Sequence, residues 1–137
     1  MIQNSYLSIG QNDLAYLEAV LKTGSTFYNQ LAVQCQQVAE KFLKGYLERL
    51  MLEEDASDLL RKHNMKRMAA KLNQLRPELQ LDTVGLAYLT DFYFDARYPG
   101  DDFFEVTREE LEKCLDIMYD TIHRLQALDL PEGAERK

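Results

Sequence analysis

The sequence contains few of the residues that β-sandwiches, barrels and disulfide-rich domains depend on. Its 137 residues include only 6 glycines and 3 prolines, which is little for the many tight turns of an all-β fold. Two cysteines, Cys35 and Cys114, are too few for a disulfide framework. These absences favour a single all-α domain, and a reducing cytoplasm is the simplest compartment for it.

Long apolar runs and a charged leader are also missing. No window approaches the roughly 18 apolar residues of a membrane span, and the N-terminal MIQNSYLSIG lacks the features of a signal peptide. We therefore expect a cytoplasmic protein with no membrane contact. Sixteen basic and 23 acidic residues give a net charge of −7, so the protein lacks the overall field that attracts nucleic acid. This charge disfavours RNA as a partner without excluding a local basic site.

Hydrophobic periodicity and capping residues divide the chain into about five helices. The predicted segments are Asn4 or Asn12 to Lys22, Thr26 to Met51 or Leu52, Leu59 to Leu75, Asp82 to Tyr98, and Thr107 to Leu128. The third is expected to be interrupted near His63-Asn64. Ser25 is expected to cap the second helix, and Thr107 and Glu110 to form a capping box at the last. The prediction is a helical bundle with short connections over residues 1–128, followed by a mobile tail, 129–137.

The basic residues are concentrated in one segment. Residues 59–77 contain six of them and no acidic residue: Arg61, Lys62, Lys66, Arg67, Lys71 and Arg76. Such a segment can bind phosphate from a nucleotide or an RNA backbone. A solvated surface, matched to an acidic partner or to a second copy of the chain, is the more common role of such a run and is favoured here.

The sequence has few candidates for catalysis. There are only two histidines, no paired-cysteine or HExxH spacing for a metal, and no glycine-rich phosphate loop, so we predict neither a metal nor a cofactor. Cys35 falls on the apolar face of the second helix and is expected to be an inert, buried thiol. Gln36, Glu40 and Lys44 follow one another at four-residue steps along that helix, and the spacing alone favours a stabilising pair on the helix surface.

Three blocks of the sequence, taken in order, carry a resemblance to a known family. The first is Gln34-Cys-Gln-Gln-Val-Ala-Glu-Lys-Phe-Leu-Lys44, the second is His63-Asn-Met-Lys-Arg-Met-Ala-Ala-Lys-Leu72, and the third is Ala96-Arg-Tyr-Pro99. They resemble the HEPN family of small helical domains, whose second block commonly has leucine where this sequence has Met65. The resemblance covers about Leu14 to Leu125. It implies a HEPN-like, up-and-down bundle of four to five helices, commonly a homodimer, that often accompanies a nucleotidyltransferase-like protein in a toxin–antitoxin-like pair.

The resemblance does not extend to the ribonuclease branch of the family. That branch uses an arginine, four to six intervening residues, and then a histidine. Counting back from His123, the permitted positions hold Asp116, Ile117 and Met118, and counting back from His63, they hold Ala56, Ser57 and Asp58. The motif is absent, so no catalytic residue is assigned and the sequence leans against an enzyme.

The remaining resemblance suggests a non-catalytic module that dimerises, associates with a nucleotidyltransferase-type partner and binds a nucleotide or phosphate group. The candidate binding residues are Gln36, Lys44, His63, Lys66, Arg67 and Arg97, with Glu40 as a structural polar partner. Two alternatives stay open. One is a ribonuclease with a non-standard site around His63, and the other is a purely structural protein that dimerises through the apolar faces of the second and last helices.

Arg97 is a separate question. Pro99 and Gly100 account for the end of the fourth helix, and a cation there suits the helix dipole, but the helix end does not require an arginine. We expect Arg97 to be a buried or cleft-facing anchor, either for an acidic partner such as Glu40 or for a bound phosphate, with the structural role favoured.

Overall fold

A computed structural model of the chain describes residues 2–52 and 55–129, and these residues form helices and no strand. The six helices are α1 (Tyr6–Lys22), α2 (Tyr28–Leu50), α3 (Ser57–Arg61), α4 (Met65–Leu75), α5 (Thr83–Arg97) and α6 (Arg108–Gln126). Short 3₁₀ turns, Pro77–Leu79 and Ala127–Asp129, follow α4 and α6. The predicted all-α bundle is confirmed. Of the predicted tail, all but Asp129 lies outside the described residues.

Helix α2 is the centre of the bundle, because it packs against α1, α4, α5 and α6. Its apolar side chains are buried along most of its length, including Leu31, Val38, Phe42 and Leu47. The apolar side of α6 faces α2 in the same core. Much of the apolar surface that one alternative assigned to a dimer seam is therefore covered within one chain, because these two helices pack against each other.

The helix ends follow local capping chemistry in most places. The predicted capping box at α6 is confirmed: Thr107 Oγ1 accepts from the Glu110 amide at 3.1 Å, and the Thr107 amide donates to Glu110 Oε1 at 2.9 Å. The predicted cap at Ser25 is wrong. Its hydroxyl accepts from the Phe27 amide at 3.2 Å, within the turn, and α2 begins at Tyr28 without a side-chain cap.

The break predicted near His63-Asn64 is confirmed. Helix α3 ends at Arg61, and α4 begins at Met65 after Asn64, whose side-chain oxygen accepts from the Arg67 amide at 3.1 Å. The three residues between the helices are exposed on one side of the bundle. This interruption brings His63 to the side of α2.

The C-terminal end of the described chain is bound to α2 through polar contacts of Asp129. Asp129 accepts a hydrogen bond from the Tyr46 hydroxyl at 2.5 Å and pairs with Arg49 at 2.7 Å. The hydrogen bond from Arg49 holds the pKa of Asp129 below its ordinary value. Across the described ranges, no helix has both the length and the apolar character that a bilayer crossing requires.

Candidate functional site

Three polar residues of α2 form a buried cluster. Gln36, Glu40 and Lys44 lie one turn apart, so their side chains fall on one side of the helix. Gln36 Nε2 donates to Glu40 Oε1 at 2.9 Å, and Lys44 Nζ lies 3.3 Å from Glu40 Oε2. The side chains of Glu40 and Lys44 are only 3% and 6% exposed. The expectation of a surface pair is therefore wrong, because neighbouring elements cover this edge of α2.

His63 completes the cluster from the α3–α4 break. Its Nδ1 lies 2.9 Å from Glu40 Oε1, although 23 residues separate the two in sequence. More than half of the His63 side chain is exposed, whereas Glu40 is buried. A buried carboxylate thus holds one ring nitrogen of the histidine and fixes the orientation of the ring, while the rest of the ring faces outward.

A chain of amide side chains extends the cluster along α2. Gln37 Nε2 donates to Gln36 Oε1 at 3.2 Å, and Lys41 Nζ donates to Gln37 Oε1 at 3.1 Å. Glu40 therefore accepts from Gln36 and pairs with Lys44 and His63, which gives its negative charge three partners. Such pairing and hydrogen bonding offset the cost of removing a carboxylate from water.

His63 also lines a cleft of about 540 Å³ between the α3–α4 break and α5, which we call the basic cleft. One wall contains Arg61, Lys62, His63, Asn64 and Lys66, and the opposite wall contains Ala87, Thr90, Asp91 and Phe94. The cleft has three permanent cations, one histidine and one carboxylate. Its charge is opposite in sign to the net charge of the whole chain.

Among the described residues, one carboxylate supplies the ion pairs beside the basic cleft. Asp58 lies within 3.8 Å of Arg61, 3.4 Å of Lys62 and 3.7 Å of Arg67, so one carboxylate faces three cations. Lys66 has no ion pair among the residues that the structure describes. A surface with this excess of positive charge attracts anions.

The structure places some of the sequence-predicted site residues in the buried cluster, some at the basic cleft and others outside both. Gln36, Lys44 and His63 meet around Glu40, and Lys66 stands beside His63 on the wall of the basic cleft. Lys44 is enclosed, with its Nζ 5.6 Å from the centre of the Tyr6 ring. Arg67 is exposed beside Asp58 and does not line the cleft.

Arg97 belongs to neither the buried cluster nor the basic cleft. It is exposed, its Nη1 donates to the Tyr93 hydroxyl, and its guanidinium lies 5.2 Å and 5.5 Å from the centres of the Tyr93 and Tyr98 rings. Glu40 is not its partner, because that carboxylate pairs with Lys44 and His63 instead. The prediction of an Arg97–Glu40 pair is wrong, and the shared site predicted for Arg97 and His63 is divided between two clefts.

Arg97 lines a second cleft of about 820 Å³, bordered by α1, the start of α2 and the end of α5. Gln34 and Gln37 are among its polar residues, and Tyr16 and Phe27 among its aromatic ones. The side-chain oxygen of Gln34 is buried there, and no described residue gives it a hydrogen bond. The cleft-facing position predicted for Arg97 is thus found, at a different cleft from that of His63.

Asn29 is a structural residue that sequence reasoning did not select. Its amide nitrogen donates to the Ala96 and Phe104 carbonyls at 2.9 Å and 3.0 Å, and its oxygen accepts from the Val106 amide at 2.8 Å. One amide therefore joins the start of α2 to the last turn of α5 and to the loop between α5 and α6. A polar residue in the first turn of a helix carries no signal of such distant contacts.

The thiols and acidic residues offer little further chemistry. Cys35 and Cys114 are free and buried, and burial raises the pKa of both thiols, that of Cys114 to about 12. Both are therefore protonated at neutral pH, as expected of structural cysteines. Over the described ranges, no group of three or more histidine, cysteine, aspartate or glutamate side chains is placed to hold a metal ion.

Comparison with known proteins agrees with the helical architecture. Neither a curated protein nor a solved structure matches the chain. The sequence model of the HEPN domain matches residues 4–127, which span all six helices and both clefts. The protein therefore belongs to the HEPN domain family.

Proposed function

We propose that this HEPN domain is a non-catalytic module that binds a phosphate group in the basic cleft, forms a homodimer and works with a nucleotidyltransferase-type partner. The observation that supports phosphate binding best is the position of Lys66, which has no ion pair within residues 2–52 and 55–129 and lines a wall that also carries Arg61, Lys62 and His63. A lysine ammonium binds phosphate as a point charge, and neighbouring arginine adds planar donors.

The fixed orientation of His63 also supports an anion site. Glu40 holds Nδ1, so the ring cannot rotate freely, and the exposed part of the ring faces a cleft rich in cations. Phosphate binding would then depend on exposed side chains. The buried Glu40–Lys44 pair would position His63 on the α3–α4 wall without contacting the ligand.

Calorimetric titration with inorganic tripolyphosphate tests the phosphate site directly. We expect binding that weakens as salt is added, and a loss of about tenfold or more in affinity for Lys66→Ala, because a charge-assisted hydrogen bond contributes roughly 1.5–3 kcal/mol. Lys22→Ala removes an exposed lysine from the last turn of α1 and should bind like the wild type. Equal affinities for the wild type and Lys66→Ala would contradict the proposed site.

The homodimer and the protein partner require separate tests. Light scattering should give twice the mass of one chain, and a monomer at every concentration would contradict the dimer.

Co-expression with a nucleotidyltransferase encoded beside this chain should yield a complex that stays together during purification. Failure of both proteins to co-purify would contradict that partnership and leave the phosphate site to be judged by calorimetry.

A second function, ribonuclease activity with a non-standard site, is favoured by one observation. The Glu40–His63 pair has the arrangement of a carboxylate that orients a general base, with cations nearby. Total RNA should then be degraded by the wild type and survive with His63→Ala, whereas His123→Ala, which changes an exposed histidine on α6, should remain active. Intact RNA with the wild type would exclude this function.

A further inference from the structure

The second cleft, which we call the Arg97 cleft, runs lengthwise along the central helix. Residues of α2 between Asn29 and Gln37 form its floor, and α1 and the end of α5 form its walls. That stretch of α2 is about 12 Å long at a rise of about 1.5 Å per residue. An extended peptide of about four residues covers the same length. The cavity of about 820 Å³ is within the size range of ligand sites.

A cation lies at the end of this cleft nearest the start of α2. The carbonyl of Ala96, the residue before Arg97, accepts from Asn29 Nδ2 at 2.9 Å, which places Arg97 at this end. The guanidinium donates to Tyr93, and no carboxylate in the described part of the chain pairs with it. Its remaining N–H donors can bind a carboxylate in the planar, two-point geometry that arginine favours.

The opposite end of the cleft carries a negative charge. Asp13 of α1 lines the cleft there, and Lys41 lies 4.0 Å from it while donating to Gln37 at 3.1 Å. This long contact leaves the Asp13 carboxylate able to accept further hydrogen bonds. The Arg97 cleft therefore suits a ligand that is negative at one end and carries a basic or N–H group at the other.

The floor between the two charges carries amide side chains that the described residues leave without partners. Gln30 and Gln34 lie one turn apart on α2, and neither side chain has a hydrogen bond within residues 2–52 and 55–129. The Gln34 oxygen is buried, and half a turn of the amide about its last bond exchanges that oxygen for the nitrogen. Amides that offer both a donor and an acceptor match the alternating N–H and C=O groups of a peptide main chain.

Two exposed aromatic side chains border the same floor. Tyr16 of α1 is 58% exposed, and Phe27, just before α2, is 71% exposed. Exposed aromatic rings at a cleft are typical of binding sites, because they supply a large contact area. With Val20 and Leu31 beside them, they can receive an apolar or aromatic side chain of a bound peptide.

We propose that the Arg97 cleft binds the C-terminal end of a peptide, with its carboxylate on Arg97 and its main-chain amides on the two glutamines of the floor. The terminal apolar side chain packs against Phe27 and Tyr16, and a basic residue three positions upstream faces Asp13. Domains that recognise peptides use such capture of a terminal carboxylate together with main-chain hydrogen bonds. This inference goes beyond the proposed function, because it concerns the other cleft and a ligand of another class.

Titration of the isotope-labelled protein with acetyl-Lys-Ala-Ala-Phe, followed by NMR, tests the inference. The peptide with a free carboxylate should shift the side-chain amide signals of Gln30 and Gln34. The same peptide with an amidated C-terminus should bind at least about tenfold more weakly, because a charge-assisted hydrogen bond is lost. Equal affinities of the two peptides, or unshifted amide signals at millimolar free peptide, would overturn the inference. A shift of these signals by tripolyphosphate but not by the peptide would also overturn it.

Variants assign the carboxylate to its residue. Arg97→Gln should lower the affinity for the free peptide to that for the amidated one, and a cooperative urea transition checks that the variant is folded. Arg108→Gln, the matched control, removes an exposed arginine that lines neither cleft and should bind like the wild type. Lys66→Ala should also bind the peptide normally, which separates this cleft from the phosphate site. An equal loss in Arg97→Gln and in either of the other variants would overturn the inference.

Discussion

The buried ion pair of α2 gives the sharpest prediction about stability. Glu40 and Lys44 are almost entirely removed from solvent, so water and salt screen their attraction little. At the observed separation of 3.3 Å and an effective dielectric constant of about 20, the Coulomb attraction is about 5 kcal/mol. We expect Glu40→Leu to lower the free energy of unfolding by about 3–5 kcal/mol or more, because it leaves the Lys44 charge buried without a counter-ion.

The two partners should not be equivalent. Lys44→Met leaves Glu40 with Gln36 and His63 as hydrogen-bond partners, so its cost should be smaller than that of Glu40→Leu. The double variant Glu40→Leu/Lys44→Met should recover much of the stability lost in Glu40→Leu, since no charge is then left alone in the core. Urea unfolding of the four proteins, with an unchanged dependence on denaturant, measures the coupling between the two side chains.

An exposed pair provides the control for this double-mutant cycle. Arg108 and Glu112 lie 3.5 Å apart on α6 with side chains 79% and 61% exposed, and their coupling should be below about 1 kcal/mol. If the α2 pair couples as weakly, the reasoning from burial is refuted. If Glu40→Leu does not fold at all, a cooperative transition in the double variant still identifies the unpaired lysine as the cause.

Three further predictions concern the packing of the bundle. Asn29→Ala should lower the free energy of unfolding by about 2–3 kcal/mol in urea unfolding, because it deletes three hydrogen bonds and leaves buried backbone groups without partners; a loss below about 0.5 kcal/mol would contradict the contacts described. Asp129→Asn should reduce the dependence of stability on acid pH. Because the pKa of Asp129 is lowered in the folded protein, its stabilising contribution is present above the ordinary value of 3.8 and is lost as the pH falls through the folded-state pKa. If the wild type and Asp129→Asn give the same unfolding curves between pH 5 and pH 2, the bond to Arg49 is refuted. Gly45→Ala should destabilise the protein by about 1–3 kcal/mol in thermal or urea unfolding, since the added Cβ would stand 2.4 Å from Leu7 Cγ; a stabilised variant would show that α1 can move away from α2.

The sequence predicted the helices well because their signals are local. The break before Met65 and the capping box at Thr107 depend on residues within a few positions of each other. The cap expected at Ser25 failed for a local reason too, because the turn continues to Phe27 before the backbone becomes helical. The spacing of Gln36, Glu40 and Lys44 placed them on one side of α2, but spacing cannot tell which side other helices cover.

The contacts that the sequence could not predict join distant segments. The pairing of Glu40 with His63 depends on where the α3–α4 break lies against α2, and the contacts of Asn29 depend on the path of the loop after α5. For Arg97 the sequence leaves two partners open, an acidic residue such as Glu40 or a bound phosphate, because the end of a helix does not by itself require an arginine. Arg97 instead contacts Tyr93, one turn earlier on α5 itself, and lines the other cleft, whose remaining walls come from α1 and α2.

The division between buried and exposed residues decides which variants can reveal function. The sequence predicts Lys44 as a ligand residue. Lys44→Ala, however, would leave the buried Glu40 carboxylate without its counter-ion. Weaker binding by this variant could therefore result from a disturbed fold. Lys66 is exposed at the basic cleft and has no part in that ion pair. Its substitution should change phosphate affinity with little change in the free energy of unfolding, whereas substitution of Glu40 should change both. A variant of Lys66 that loses stability as well as affinity would show that the two walls of the cleft depend on each other for folding.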